Sequence, residues 1–409
     1  MSNPSSTITD PLINSTPEFF ANPYPTLARL RDDAPVLWSE VGEYWLVTRY
    51  ADIHEILGDL AFTKGARRWK QIDMLAKIFP QTKEALAQRS GNMLNSNPPD
   101  HTRLRSLVNK AFTPTLINQM RSHIQDIANE LIDAVQNKGK MDLMADFSFP
   151  LPAIVISEML GIPAKDRDKF KHWSHTITAA LDPNPNIKLL DMAKIIHANQ
   201  ELIAYLKPLV AERRTERKDD LISALVAAEE DGAKLTESEL IANTVLLLIA
   251  GHETTTNLIG NGTLALLRNP EQRSELQANP DLIQSAVTEF LRYDSPVQLI
   301  RRIAGEEMQV AGQTVKEGQA VLLSVGSANH DPTQFADPDK LDIKRTNNKH
   351  LSFGHGIHHC LGSSLAETEG QIAISTLLRR LPNLKLATKD IEIKRPFSLR
   401  GPKSLPVTF

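Results

Sequence analysis

One helix near the middle of the chain leaves few folds open. Thr236 and Glu239 stand three apart in the pattern of a capping box, and Asn269-Pro270 is the next strong stop. About 32 residues at ~1.5 Å each would make a rod of roughly 48 Å, long enough to cross a whole domain. Its first half contains VLLLIAG (245–251), the most apolar uninterrupted stretch of the chain, so the pattern predicts burial on several sides. Other helices must then pack around it. Helical patterning indeed dominates from about residue 100 to 300, and Asn269-Pro270 and Asn279-Pro280 each pair a good N-cap with proline at a first helical position.

Strand signals are fewer and sit near the ends. VLWSEVGEYWLVTRY (36–50) reads as a hairpin turning near Val41-Gly42-Glu43. EMQVAGQTVKEGQAVLLSV (307–325) has β-branched runs broken at Ala311-Gly312 and Glu317-Gly318, and the tail 391–409 reads as further short strands. Length alone, 409 residues, predicts roughly two to three domains.

The long helix carries a local conflict at AGHETTTN (250–257). Glycine costs a helix interior about 1 kcal/mol relative to alanine. Successive threonines crowd the backbone and bond back to the preceding turn, and a charged Glu253 in a core helix needs a partner or water. Glu253 and Thr254 put an acid beside an alcohol, next to a small-residue gap at Ala250-Gly251. That pairing can hold a water chain and pass protons to something lodged against the helix. A kinked helix with solvated polar groups accounts for the same segment equally well.

Net charge of −3 argues against a general nucleic-acid binder. The polar, proline-containing N-terminus is no secretory signal, and no apolar run approaches the ~20 residues that span a bilayer. A single cysteine cannot form an internal disulfide, so the expectation is a soluble cytoplasmic protein with no membrane anchor. Glu289 and Arg292 share a helix face and can pair, although on a surface such a pair is worth little. His101 and Arg105 lie one turn apart and could clamp a carboxylate or phosphate. The KGARRWK (64–70) and ERRTERK (212–218) runs are most simply solvated.

The one cysteine, Cys360, lies in FGHGIHHCLG (353–362), just before a strongly amphipathic helical pattern. Unpaired N–H groups and the dipole at a helix start favour a thiolate. A zinc set from His355, His358, His359 and Cys360 is conceivable, but adjacent His359 and Cys360 fit poorly in one tetrahedral shell. A cysteine nucleophile leaves the AGHETT segment unexplained. An axial thiolate to haem iron needs one cysteine, a cationic clamp for the propionates and a proton-delivering wall, and so uses every odd feature together.

These motifs give the chain its resemblance: it is similar to the bacterial cytochromes P-450. The family's F-G-x-G-x-H-x-C-x-G loop matches Phe353 to Gly362, its A-G-x-E/D-T-T motif matches Ala250 to Thr255, and its E-x-x-R motif matches Glu289 and Arg292. His101 to Arg105 supply H-T-R-L-R, and ANHDPTQFADPDKLD (328–342) and LRGPKSLPVTF (399–409) follow in the family's order. The resemblance implies a mainly α, single-domain fold over 1–409, a triangular helical prism with a small β-rich lobe. That replaces the prior of two to three domains.

It further implies haem b between the long helix and the Cys360 loop. Cys360 would be the axial ligand, and His101, Arg105, Arg302 and His358 would hold the propionates. Glu253 and Thr254 would guide protons, while Glu289 and Arg292 would be structural. The implied activity inserts one oxygen atom from O₂ into a hydrophobic small molecule, by hydroxylation or epoxidation, in a pathway of secondary metabolism. Electrons would come from a ferredoxin or flavodoxin served by its reductase, docking near Arg103 and Lys110, to a monomeric enzyme. A catalytically silent haem-thiolate sensor would share Cys360 but would have no need of Glu253 and Thr254. Variable regions fall at about 61–95, 170–190 and Ser398-Leu399, and the candidate substrate walls are Ile249, Ala250, Val297, Leu299 and Leu399. Lys64, Arg67 and Arg68 could attract an anionic substrate end, although a solvated lid is the simpler expectation.

Overall fold

The long helix forms as Glu237–Arg268, 32 residues, with both halves of its capping box made. Thr236 Oγ1 accepts from the Glu239 amide, and Glu239 Oε2 accepts from the Thr236 amide at 2.8 Å. In this computed structural model, which describes residues 9–64, 91–178, 189–230, 235–395 and 397–409, that helix is the axis of the main core. Helices Pro150–Met159, Ser363–Arg380, Ile283–Tyr293 and Leu189–Thr215 all pack on it, which explains why its apolar residues are buried around most of its circumference.

The chain adopts the mainly α fold with small sheets that the resemblance implied. The largest sheet has five strands in the order Val36–Ser39, Tyr44–Val47, Ala320–Ser324, Leu299–Ala304 and Phe62–Thr63. Its first pair is the expected hairpin, Val36 opposite Val47, with Glu43 at φ 50° in the turn. Tyr44–Val47 then runs parallel to Ala320–Ser324, so the sheet joins the two ends of the chain across the helical region. A two-residue turn at Ala311-Gly312, φ 47° and 80°, closes Met308–Val310 on Gln313–Val315. Positive φ at both central positions is what such hairpins require. The tail contributes Pro406–Thr408 between Lys140–Asp142 and Lys385–Leu386.

Two local expectations change. Asn269 does not cap the following helix with its side chain; its Nδ2 donates to the Ala265 carbonyl at 2.8 Å and closes the long helix instead. Asn279 likewise reaches back to Glu275, where its side chain meets the carboxylate at 3.2 Å. Glu289 and Arg292, which the resemblance made structural, form a core pair, both side chains being 0% exposed. Arg292 bonds Glu289 twice at 2.8 Å and donates to the carbonyls of Asn329, Pro338 and Lys340. Arg345 and Asn348 complete the coordination of the carboxylate. This cluster pins the 329–348 segment to helix Ile283–Tyr293, leading the chain towards the cysteine loop.

Candidate active site

The cysteine loop is set by short backbone bonds and two left-handed glycines. The Cys360 amide donates to the Phe353 carbonyl at 2.8 Å, and the His359 amide to the Gly356 carbonyl at 3.0 Å. Gly354 and Gly356 have φ of 71° and 70°, and a Cβ on Gly356 would lie 2.6 Å from the Leu57 carbonyl. Helix Ser363–Arg380 starts just beyond. Burial pushes the Cys360 thiol up, while the Gly362 amide, bonded to the sulfur, and the Arg105 guanidinium draw it down. The loop therefore offers a half-buried sulfur ready to become a thiolate once a cation binds it. Among the described residues no set of three or more His, Cys, Asp and Glu converges as a metal site, so the zinc arrangement does not assemble.

His101 and Arg105, one turn apart on helix Asp100–Ala111, are brought together with Arg302 of strand Leu299–Ala304 and His358 of the cysteine loop, three separate segments in all. The rings of His101 and His358 lie 4.3 Å apart, edge to face. Burial, then the positive charges of Lys64, Arg302, His101 and Arg105, lower His358 to about 2. Arg302 itself is lowered to about 10 by burial. Among the described residues none of these groups is in an ion pair with a carboxylate, and the buried Nε2 of His101 has no hydrogen-bond partner. Such concentrated positive potential without counter-charge is the electrostatic shape of a site for a dianionic group.

Lys64 belongs to the same cluster, contrary to the solvated lid expected from sequence. Its amine is pushed far down by burial and by Arg302 and Arg301, and its backbone N–H donates to Asn97 at 2.8 Å. The cause is strand pairing: Thr63 sits opposite Ile303, next to Arg302. Nothing local in the sequence signals this contact. Arg67 and Arg68 lie outside the described residues.

The middle of the long helix is where its burial breaks. Ala250 is exposed and Gly251 and Thr254 are half-buried, whereas His252, Glu253 and Thr255 are buried. Thr254 Oγ1 donates to the Ala250 carbonyl at 3.0 Å, and Thr255 Oγ1 reaches the Gly251 carbonyl at 3.5 Å, within an unbroken helix. Glu253 has the partner it needs: Lys394, from the tail, donates to Oε1 at 2.8 Å and to Asn257 Oδ1 at 3.1 Å. Sequence reading missed Lys394; only the unmet charge of Glu253 hinted that such a cation must exist. His252 Nδ1 donates to the Leu248 carbonyl, and burial keeps the ring neutral, so Nε2 accepts from Ser174 Oγ at 2.8 Å. That bond ties helix Arg167–Thr178 to the residue preceding Glu253.

The candidate wall residues divide. Val297 and Leu399 are joined by an antiparallel bridge, and Ile249 and Ala250 lie on the less buried stretch of the long helix. Leu299 packs against small apolar clusters around Leu30 and Phe19. A cavity of about 500 Å³ opens beside Arg105, lined by His101, Ser106, Asn109, Lys110 and Ile357. Lys110 is exposed there. Arg103, also partly exposed, pairs with Glu239 at the start of the long helix.

A thiolate-forming sulfur at the start of a helix, beside a cluster of basic side chains, defines a haem-thiolate type of site. A sequence model of the family described as Cytochrome P450 matches residues 75–408. The chain is 46% identical over 376 residues to Cytochrome P450 CYP107DY1 of Priestia megaterium, covering 90% of each. It is 42% identical to the Polyketide biosynthesis cytochrome P450 PksS of Bacillus subtilis, covering 96% of each. Among solved structures, that of P450BioI in complex with hexadec-9Z-enoic acid ligated Acyl Carrier Protein superposes at a TM-score of 0.87 with 39% identity, over 97% of this chain and all of that one. The chain belongs to the cytochrome P450 family. It is a monooxygenase of that family, whose fold implies a haem-thiolate cofactor, O₂ and an electron-transfer partner.

Proposed function

We propose that the chain, as one domain over 1–409, is a cytoplasmic enzyme inserting one oxygen atom from O₂ into a hydrophobic small molecule by hydroxylation or epoxidation. The observation that carries this reading is the Cys360 sulfur, bonded by the Gly362 amide, next to cations that no carboxylate neutralises among the described residues. The residues present fit haem b: Cys360 would hold the iron, and His101, Arg105, Arg302, His358 and Lys64 the propionates. When bound, that group supplies the redox-active iron at which O₂ is reduced and cleaved. Cys360 would donate electron density to it, and the basic side chains would fix its orientation, Arg105 and Arg302 offsetting its negative charge. Glu253, an anion paired with Lys394, would take up a proton and pass it on, and Thr254 would relay it towards the exposed face at Ala250. Ile249, Ala250, Val297 and Leu399 exclude water and orient an apolar substrate, Leu299 lying farther out in its packed cluster. Long acyl and polyketide chains are the first to screen, because relatives are named for polyketide biosynthesis and for an acyl-carrier complex. A ferredoxin or flavodoxin with its reductase supplies electrons to the monomer.

The carbon-monoxide difference spectrum of the reduced holoprotein tests the assignment. A strongly red-shifted Soret band supports thiolate ligation, and a histidine-like band in undamaged protein overturns it. Two variants refine the roles. Thr254→Ala should keep haem and substrate binding but divert most electrons to hydrogen peroxide; unchanged product per electron would remove Thr254 from the relay. Arg302→Gln should speed haem loss to an acceptor protein by about ten- to a hundredfold, because a hydrogen bond to a charged group is worth about 1.5–3 kcal/mol. Unaltered haem loss would place the propionates elsewhere.

A further inference from the structure

Val297 and Leu399, the bridged pair of the substrate wall, are framed by a helix from the other end of the chain. Two backbone bonds bracket their bridge: the Gln298 amide donates to the Ser398 carbonyl at 3.0 Å, and the Arg400 amide to the Pro296 carbonyl at 2.8 Å. Arg400, next to Leu399, is 5% exposed. Its Nε donates to Asp294 Oδ1 at 2.6 Å, and its two terminal nitrogens donate to the carbonyls of Phe20 and Ala21. Those carbonyls end helix Pro17–Ala21, and a helix leaves its last carbonyls without partners of its own. The Tyr24 hydroxyl donates to the same Asp294 oxygen at 2.6 Å. Asn261 of the long helix donates to the main-chain carbonyls of both Asp294 and Arg400. On the other side of Leu399, the ring of Phe397 lies 5.0 Å from that of Phe19.

We propose that Arg400, held by Asp294, Tyr24 and the end of helix Pro17–Ala21, is a positioning residue for substrate specificity. It fixes how far Leu399 stands forward beside Val297, and so the length of apolar chain that the site accepts. This rests on the reading of Val297 and Leu399 as substrate wall. Leu399 shares a peptide bond with Arg400, so it cannot withdraw without pulling the guanidinium off a carboxylate and two helix-end carbonyls. Leaving a buried charge unpaired is strongly unfavourable, which makes the wall stiff where apolar packing alone would let it give. Burial, then the charge of Asp294, holds the Tyr24 hydroxyl well above its ordinary range, so it stays a donor to that carboxylate. The N-terminal helix thereby acts on the substrate without touching it.

The test uses the haem-loaded full chain and N-alkylimidazoles from methyl to dodecyl, which ligate iron through nitrogen and extend their chains into the space before it. Absorption spectroscopy gives each dissociation constant. In the wild type, affinity should climb with chain length and then break where the chain meets the wall. Leu399→Ala should move the break to longer chains, which checks the wall itself. Two variants then address the frame. Tyr24→Phe keeps the ring stacked on His330 at 3.8 Å and loses only the hydroxyl. Arg400→Lys keeps a cation for Asp294 but cannot span both carbonyls. Both should move the break in the same direction. Affinity for chains just past the wild-type break should rise about tenfold relative to methylimidazole, the low end of what one methylene is worth in an apolar pocket. A purely structural role would lower the thermal midpoint of both variants and leave the break where it was. That result, with Leu399→Ala shifted, overturns the positioning role and leaves the wall intact. A wild type with no break, or a break that Leu399→Ala does not move, overturns the wall reading and the proposal with it. A wild type without a thiolate spectrum overturns the haem reading beneath both.

Discussion

Cys360→Ser should give a folded protein that has lost the red-shifted carbon-monoxide band and essentially all monooxygenation, whether or not it retains haem. Serine fits the loop, because the Cys360 amide bond to Phe353 and the turn at Gly356 involve backbone only. What it lacks is an acidic enough donor. The thiol's ordinary value of 9.0 is raised by burial and drawn back by the Gly362 amide and Arg105, within reach of deprotonation by a bound cation. A serine hydroxyl is far less acidic, and the same two groups cannot close the gap. Absorption spectroscopy and product analysis decide the matter together. Full monooxygenation by Cys360→Ser would remove the sulfur from the chemistry.

The second large effect is on folding. Arg292→Ala should cost about 3–5 kcal/mol, because it strands a buried carboxylate. Glu289 and Arg292 are both fully buried, and Arg292 also satisfies the carbonyls of Asn329, Pro338 and Lys340. Total stabilities of about 5–15 kcal/mol leave little margin, so most of the expressed variant should be haem-free or aggregated. Glu289→Gln, which keeps the shape and some donors' partners, should fall between wild type and Arg292→Ala in denaturant midpoint. A midpoint for Arg292→Ala within experimental error of wild type would show that Arg345 and the backbone can hold this segment unaided.

Local spacing alone did not set either residue apart, and only the resemblance made the pair structural. A glutamate and an arginine three apart occur on many solvated helix faces, and packing shows how this pair faces inward, where Arg345 joins it from 56 residues away. Lys64 and Lys394 teach the same lesson. Each became part of a site through one long-range contact: Lys64 through the pairing of Thr63 with Ile303, and Lys394 through its bond to Glu253. Arg103 likewise gains Glu239, a partner that its neighbours in sequence do not announce.

What the chain determined by itself was everything governed by local rules. The capping box and the Asn269-Pro270 stop defined the long helix, positive-φ glycines shaped the cysteine loop, and polar residues at 250–257 flagged the turn where burial breaks. Those rules act over a few residues through backbone hydrogen bonds and sterics, so they can be read along the chain. The tertiary structure alone decided which charges meet. Electrostatic partners are set by distance in space and by burial, and a lysine near residue 64 or 394 has the same local sequence whether it faces water, a carboxylate or a cofactor's acid groups.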